Sequence, residues 1–162
     1  MIGAIIGDMV GSVYEFHNIK TKDFPFFRED CHFTDDTVMT IAVAEGLMNG
    51  GTEDDFIEAM KKYGRMYPKA GYGMRFFHWL ASTTTEPYNS WGNGSAMRVS
   101  PVGFFVEPSW DATAVACSVD TYARRSAAVT HNHPEGIKGA LATANAIMFM
   151  RYRVKNGDEM GE

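Results

Sequence analysis

Apolar residues recur at steps of three and four through most of this 162-residue chain, and no segment sustains the alternation of a half-buried strand. Ile5, Met9, Val13 and Phe16 make one such stripe, which predicts a helix over 2–16 with that face buried. Val38, Ile41, Ala42, Ala44 and Leu47 repeat it over 35–49. In "GGTEDDFIEAMKKYGRMYP", two glycines precede a Thr52 cap, acids fill the first turn, lysines follow, and the helix stops before Pro68. A weaker helix is expected over 74–82. "TTTEPYNSWGNGSAM" reads as a loop running into a helix near Ser95. Pro108 and Ser109 mark a break and a cap before a helix over 110–130, "HNHPEG" ends it, and a last apolar helix covers 136–154. The pattern predicts an all-α fold, a compact helical bundle with long functional loops, in one domain.

Composition narrows the function classes. Hydrophobic residues make up 45% of the chain, as in a soluble globular protein, and the formal net charge of -5 comes from 20 acidic and 15 basic residues without long blocks of either sign. There is no basic footprint for nucleic acid. No apolar run approaches the roughly 20 residues of a membrane span. Cys31 and Cys117 stand far apart and outside any CxxC pattern, which fits a reducing compartment. The opening "MIGAIIGDMVG" carries Asp8 where a signal peptide needs continuous hydrophobicity, so a cytoplasmic location is expected.

Four polar constellations then compete for the chemistry. Thr34, Asp35 and Asp36 read either as a capped helix start or as three hard oxygen ligands for Mg²⁺, Mn²⁺ or Ca²⁺. Asp8, Ser12 and Glu15, at steps of four and three, share one face of the first helix, as a solvated stripe or as part of a site. In "NSWGNGSAMR", Gly92 and Gly94 free backbone N–H groups to turn toward an anion before Ser95 opens a helix, although an Asn-Gly turn before a Ser cap has the same letters. His131 and His133 have an HxH spacing without nearby acidic or histidine ligands, so a structural or ligand-contacting histidine competes with a metal ligand. "TEDD" at 52–55 is read as capping alone.

Their order along the chain resembles the ADP-ribosylglycohydrolase family: GxxxGDxxGxxxE at Gly3, Gly7, Asp8, Gly11 and Glu15, then TDDT at 34–37, GNGSAMR at 92–98, and THxHP at 130–134. That resemblance implies an all-α fold and a metal-dependent hydrolase that cleaves the glycosidic bond between ADP-ribose and an acceptor. It implies Thr34, Asp35 and Asp36 as metal ligands and Mg²⁺ or Mn²⁺ as the cofactor, two ions in a complete site. It places Glu15 in the loop gating the cleft as the catalytic carboxylate. Ser90, Trp91, Gly92, Asn93, Gly94 and Ser95 would hold the diphosphate and ribose, with His131 lining the site and Trp91 offering an aromatic face. The substrate would be an ADP-ribosylated protein or small molecule.

One departure stands out. Family members carry a second acidic motif, DxD followed by Thr or Ser, far downstream, whereas after residue 111 this chain has only Asp120 and Asp158, neither in such a motif. The pattern thus corresponds to the N-terminal portion of the family's, and the chain is expected to be truncated at its C-terminus. Two alternatives follow: a hydrolase whose site is completed by a missing segment or a second chain, or a catalytically silent ADP-ribose-binding or scaffold fragment that lacks the second metal-ligand motif.

Overall fold

Helices account for all the regular structure among the residues that the computed structural model describes, 1–107 and 111–155. In chain order they are α1 (Ile2–Gly11), a 3₁₀ turn (Ser12–Tyr14), α2 (Asp35–Asn49), α3 (Glu53–Met66), α4 (Met74–Ala81), α5 (Gly94–Met97), α6 (Ser100–Phe105), α7 (Ala112–Ala128) and α8 (Pro134–Lys155). Thr34 and Thr52 each start a helix as the sequence leads one to expect. Thr52 forms a full capping box with Asp55, so the acids of "TEDD" are accounted for by helix initiation. The cap expected at Ser109 lies outside the described residues, and Asp111 caps α7 by accepting from the Ala114 N–H.

The core lies around α2, with Val38, Met39, Ala42, Val43 and Leu47 buried against Phe56, Ala59 and Met60 of α3 and against Val99 and Val102 beside α6. A Cβ at Gly46 would stand 2.6 Å from the Phe56 ring and 3.2 Å from its Cα, so glycine permits the close approach of α2 and α3. Fully buried Ala123, Ala127, Ala140 and Ala144 line the α7–α8 side of the core. Because α2 is packed from several directions, its burial exceeds one stripe. Ile41, placed by spacing on the buried face, is instead 37% exposed.

The first helix departs further from the pattern. It ends at Gly11 rather than Phe16, and the Ser12 hydroxyl donates back to Met9 O at the tighter 3₁₀ turn. Only Val10 is buried in it, and Phe16 is 84% exposed. Its apolar surface was expected to enter the core. Instead, α1 rests on the N-terminal end of α2, while Ile2 and Ile6 face outward beside an apolar groove of about 750 Å³ between α1, α6 and α8. No helix among the described residues is long and apolar enough to cross a membrane.

Candidate functional site

The N-terminus of α2 is built around one carboxylate from α1. Asp8 accepts from the Thr34 N–H (2.8 Å) and hydroxyl (2.6 Å) and from the Thr37 N–H (3.2 Å) and hydroxyl (2.5 Å). The Asp36 N–H is taken by the Thr34 hydroxyl oxygen and the Asp35 N–H by Ala70 O. The orphan donors of the first turn are therefore satisfied without the side chains of Asp35 or Asp36. Capping explains Thr34, as the plainer reading had it, but leaves the two aspartate carboxylates without that structural job.

Those two carboxylates face different spaces. Asp36 lines a cavity of about 330 Å³ with Asp8, Ser12, Glu15, Thr34 and Asn93. Asp35 lines a second cavity, of about 320 Å³, with Ser90, Gly92, Asn93, Gly94 and His131. Asn93 borders both. The TDDT turn is thus a partition between an acidic cavity and a glycine-loop cavity, and consecutive aspartates serve its two sides.

Burial pushes the Asp35 carboxyl up to about 6, helped by the negative charges of Asp36, Glu15 and Asp8. Asp36 is raised as well, by burial and then by Asp8 and Glu15. Among the described residues, no lysine or arginine forms an ion pair with any of these acids. Uncompensated carboxylates beside a hydroxyl are the donor chemistry of a hard divalent cation. Their arrangement is an open one: no group of three or more His, Cys, Asp or Glu among the described residues is gathered closely enough to hold a metal unaided. The donor types are those that Mg²⁺ or Mn²⁺ takes, and this set would by itself supply only part of a shell.

A pH test follows directly. Between about pH 4 and 6 the folded protein holds a proton on Asp35 that the unfolded chain has lost, so stability falls as pH rises through that window. Solvent reaches this half-buried group, which limits the effect to about 1–2 kcal/mol. Buried His131 contributes with the opposite sign over the same range, so Asp35 is read from the difference between two proteins: in metal-free buffer, Asp35→Asn should gain in thermal midpoint relative to the wild type on going from pH 5 to pH 7.5. Identical profiles would remove the charge strain assigned here.

The glycine-loop cavity brings together most of the predicted binding residues. Asn89, at φ 54, donates its N–H to Asn132 Oδ1, and the Ser90 N–H donates to Thr130 O, which ties the loop to the α7–α8 junction. A Cβ on Gly94 would lie 2.9 Å from His131 Nε2, so the loop can close on the imidazole edge only with glycine there. Two predicted residues stand elsewhere. Trp91 is 72% exposed and does not line this cavity, and buried Ser95 donates to Gly136 O, pinning α5 to α8. His133 is separated from His131 in role, since it accepts from the Glu135 N–H at the start of α8.

Several wall residues have no role assigned by the sequence, although Met97 and Arg98 stand inside the GNGSAMR motif. Arg75, Phe76, Tyr88, Met97 and Arg98 also line the cavity. Arg75 donates to Tyr88 O and lies over the Tyr88 ring, while Arg98 is fully buried and donates to Ser126 O and Thr130 Oγ1, both at 2.8 Å. An arginine in an apolar stretch such as "SAMRVSPV" was the available signal for Arg98, because a buried cation needs several specific partners.

Comparison with known proteins agrees with this architecture. The ADP-ribosylglycohydrolase family matches residues 1–160. The chain is 27% identical over 177 residues to the ADP-ribosylhydrolase ARH3 of Xenopus tropicalis, which covers 92% of this chain and 48% of that protein. It is 28% identical over 183 residues to ARH3 of Gallus gallus (91% and 48%) and 28% over 182 residues to ARH3 of Homo sapiens (91% and 47%). The chain spans about half the length of the curated relatives it matches. With nearly every residue matched, the chain belongs to the ADP-ribosylglycohydrolase family.

Proposed function

We propose that this chain binds ADP-ribose in the glycine-loop cavity and contributes to hydrolysis of the bond joining ADP-ribose to an acceptor. The observation that carries this reading is the partition: Asp35 faces the cavity lined by the glycine loop, and Asp36 faces the one that holds Glu15. A ligand's diphosphate would meet backbone N–H groups at Gly92–Gly94, with Arg75 on the same wall, and its ribose would extend past Asn93 toward the acids. Thr34, Asp35 and Asp36 would hold Mg²⁺ or Mn²⁺, which supplies ribose orientation and activation of water when bound.

The chain's own residues then have distinct tasks. Asp8 fixes the orientation of the Thr34 hydroxyl by accepting its hydrogen bond, and with the Asp36 N–H on one lone pair, the other lone pair of that oxygen stays available. Glu15 offers a carboxylate beside the anomeric carbon, where positive charge develops as the glycosidic bond breaks. Met97 and Phe76 give the glycine-loop cavity apolar wall.

A second reading, an ADP-ribose binder without turnover, is favoured by the open side of the acidic cavity. Its walls include Gly7 and Gly11 of α1, and a Cβ on Gly3, Gly7 or Gly11 would meet nothing within 4 Å. A further polypeptide segment covering α1 would close that cavity and the adjoining apolar groove together, which makes completion by a second chain part of the proposal.

Calorimetric titration of the chain with ADP-ribose, with and without millimolar Mg²⁺, tests the site. Binding should strengthen about tenfold with metal, an effect of ~1.4 kcal/mol, and that increment should vanish in Asp35→Ala. Metal-independent binding would detach the TDDT turn from ligand recognition. No binding under either condition would overturn the proposed site in this chain.

A further inference from the structure

His131 lies at the wall of the glycine-loop cavity with 5% of its surface exposed, and its two ring nitrogens face different surroundings. Nδ1 is 2.8 Å from the Thr130 hydroxyl, and Nε2 lies toward Gly92 and Gly94. The direction of the first bond is decided one residue deeper. Arg98 Nη2 reaches the same hydroxyl oxygen, and a guanidinium can only donate, so Thr130 Oγ1 accepts there. Thr130 is fully buried, and its hydroxyl proton has no other acceptor within reach among the described residues. That proton therefore goes to His131 Nδ1, and the ring's own proton must sit on Nε2.

We propose that Arg98 and Thr130 form a buried relay that holds His131 as the neutral Nε2–H tautomer, giving the glycine-loop cavity an uncharged hydrogen-bond donor that selects a ligand acceptor. Arg98 and Thr130 are positioning residues, and His131 is the group that meets the ligand. The proposal deepens the ADP-ribose reading by specifying what this wall recognises: a ribose or base acceptor atom satisfies the donor without adding a charge pair. Burial, followed by the cations Arg98 and Arg75, pushes the His131 imidazolium down to about 3, so an acidic cytosol would not convert this donor into a charge.

The arrangement is supported from both sides. The Thr130 and His131 N–H groups both donate to Ala127 O at the end of α7, which sets the two side chains in order. Arg98 is itself held by Ser126 O and lies over the Phe76 ring at 5.8 Å. Its guanidinium thus cannot follow a ligand into the cavity without abandoning those partners.

Long-range ¹H–¹⁵N correlation spectra of the ¹⁵N-histidine-labelled chain at neutral pH read the tautomer directly. The wild type should show His131 protonated on Nε2 alone. Thr130→Val should shift it toward the Nδ1–H form and weaken ADP-ribose binding about tenfold, whereas Thr130→Ser should preserve both properties. An Nδ1–H tautomer or an imidazolium in the wild type would overturn the relay, even if Thr130→Val fails to fold. An unchanged tautomer in folded Thr130→Val would also overturn it. The expected tautomer and its loss in Thr130→Val, in a chain that binds no ADP-ribose, would uphold the relay and overturn the ligand reading alone.

Discussion

Asp8→Ala is expected to lower the unfolding free energy by about 2–4 kcal/mol, more than a surface carboxylate would suggest. Both oxygens of Asp8 accept from the start of α2, two bonds from backbone N–H groups and two from threonine hydroxyls. A bond to a charged group is worth about 1.5–3 kcal/mol, but four bonds sharing one carboxylate do not add. The loss also removes a negative charge from the positive end of a helix dipole. Thr34 and Thr37 are both buried, so their donors would be left without water as well. Urea denaturation followed by circular dichroism should show the midpoint falling with little change in slope. Asp8→Asn, which keeps the shape but only one acceptor oxygen, should fall between the two. A loss below about 0.5 kcal/mol, typical of an exposed acid, would mean that α1 does not latch α2.

That latch shows where sequence reading succeeds and where it stops. The helices at 35–49 and 53–66 are legible because caps and periodicity agree, and the same local rules set their ends. The apolar stripe of α1 is equally periodic but misplaces its burial, since periodicity states that a face is covered without stating by what. Gly11 and Ser12 then turn the chain before Phe16. Likewise "DD" gives two adjacent carboxylates, but which cavity each one faces depends on the residues brought alongside from α1 and from the glycine loop. Asn93 stands between the two cavities because residues nearly 60 positions away fold back onto it, a relation no local pattern contains. Arg98 and Thr130 are harder still: both stand inside motifs, GNGSAMR and THxHP, yet their meaning comes from burial and from their contact with each other.

Glu15→Gln should reduce turnover of an ADP-ribosylated peptide by about 100-fold or more while changing the ADP-ribose dissociation constant less than about threefold. The split follows from placement. Glu15 follows the 3₁₀ turn at the end of α1, is exposed, and borders the acidic cavity rather than the glycine-loop cavity. In the proposed site, ground-state binding would rely on the loop, Asp35 and the His131 wall, none of which touches that side chain through a hydrogen bond among the described residues. A neutral amide of the same shape retains packing yet cannot offset the charge that builds on the ribose ring, so its effect belongs to the transition state. Rates and titrations measured on the same preparation decide the matter. Equal losses in turnover and affinity would make Glu15 a binding residue, and unchanged turnover would place the catalytic carboxylate elsewhere. If the unaltered chain binds ADP-ribose but turns nothing over, the open side of the acidic cavity becomes the limiting feature, and Glu15 awaits the segment that closes it.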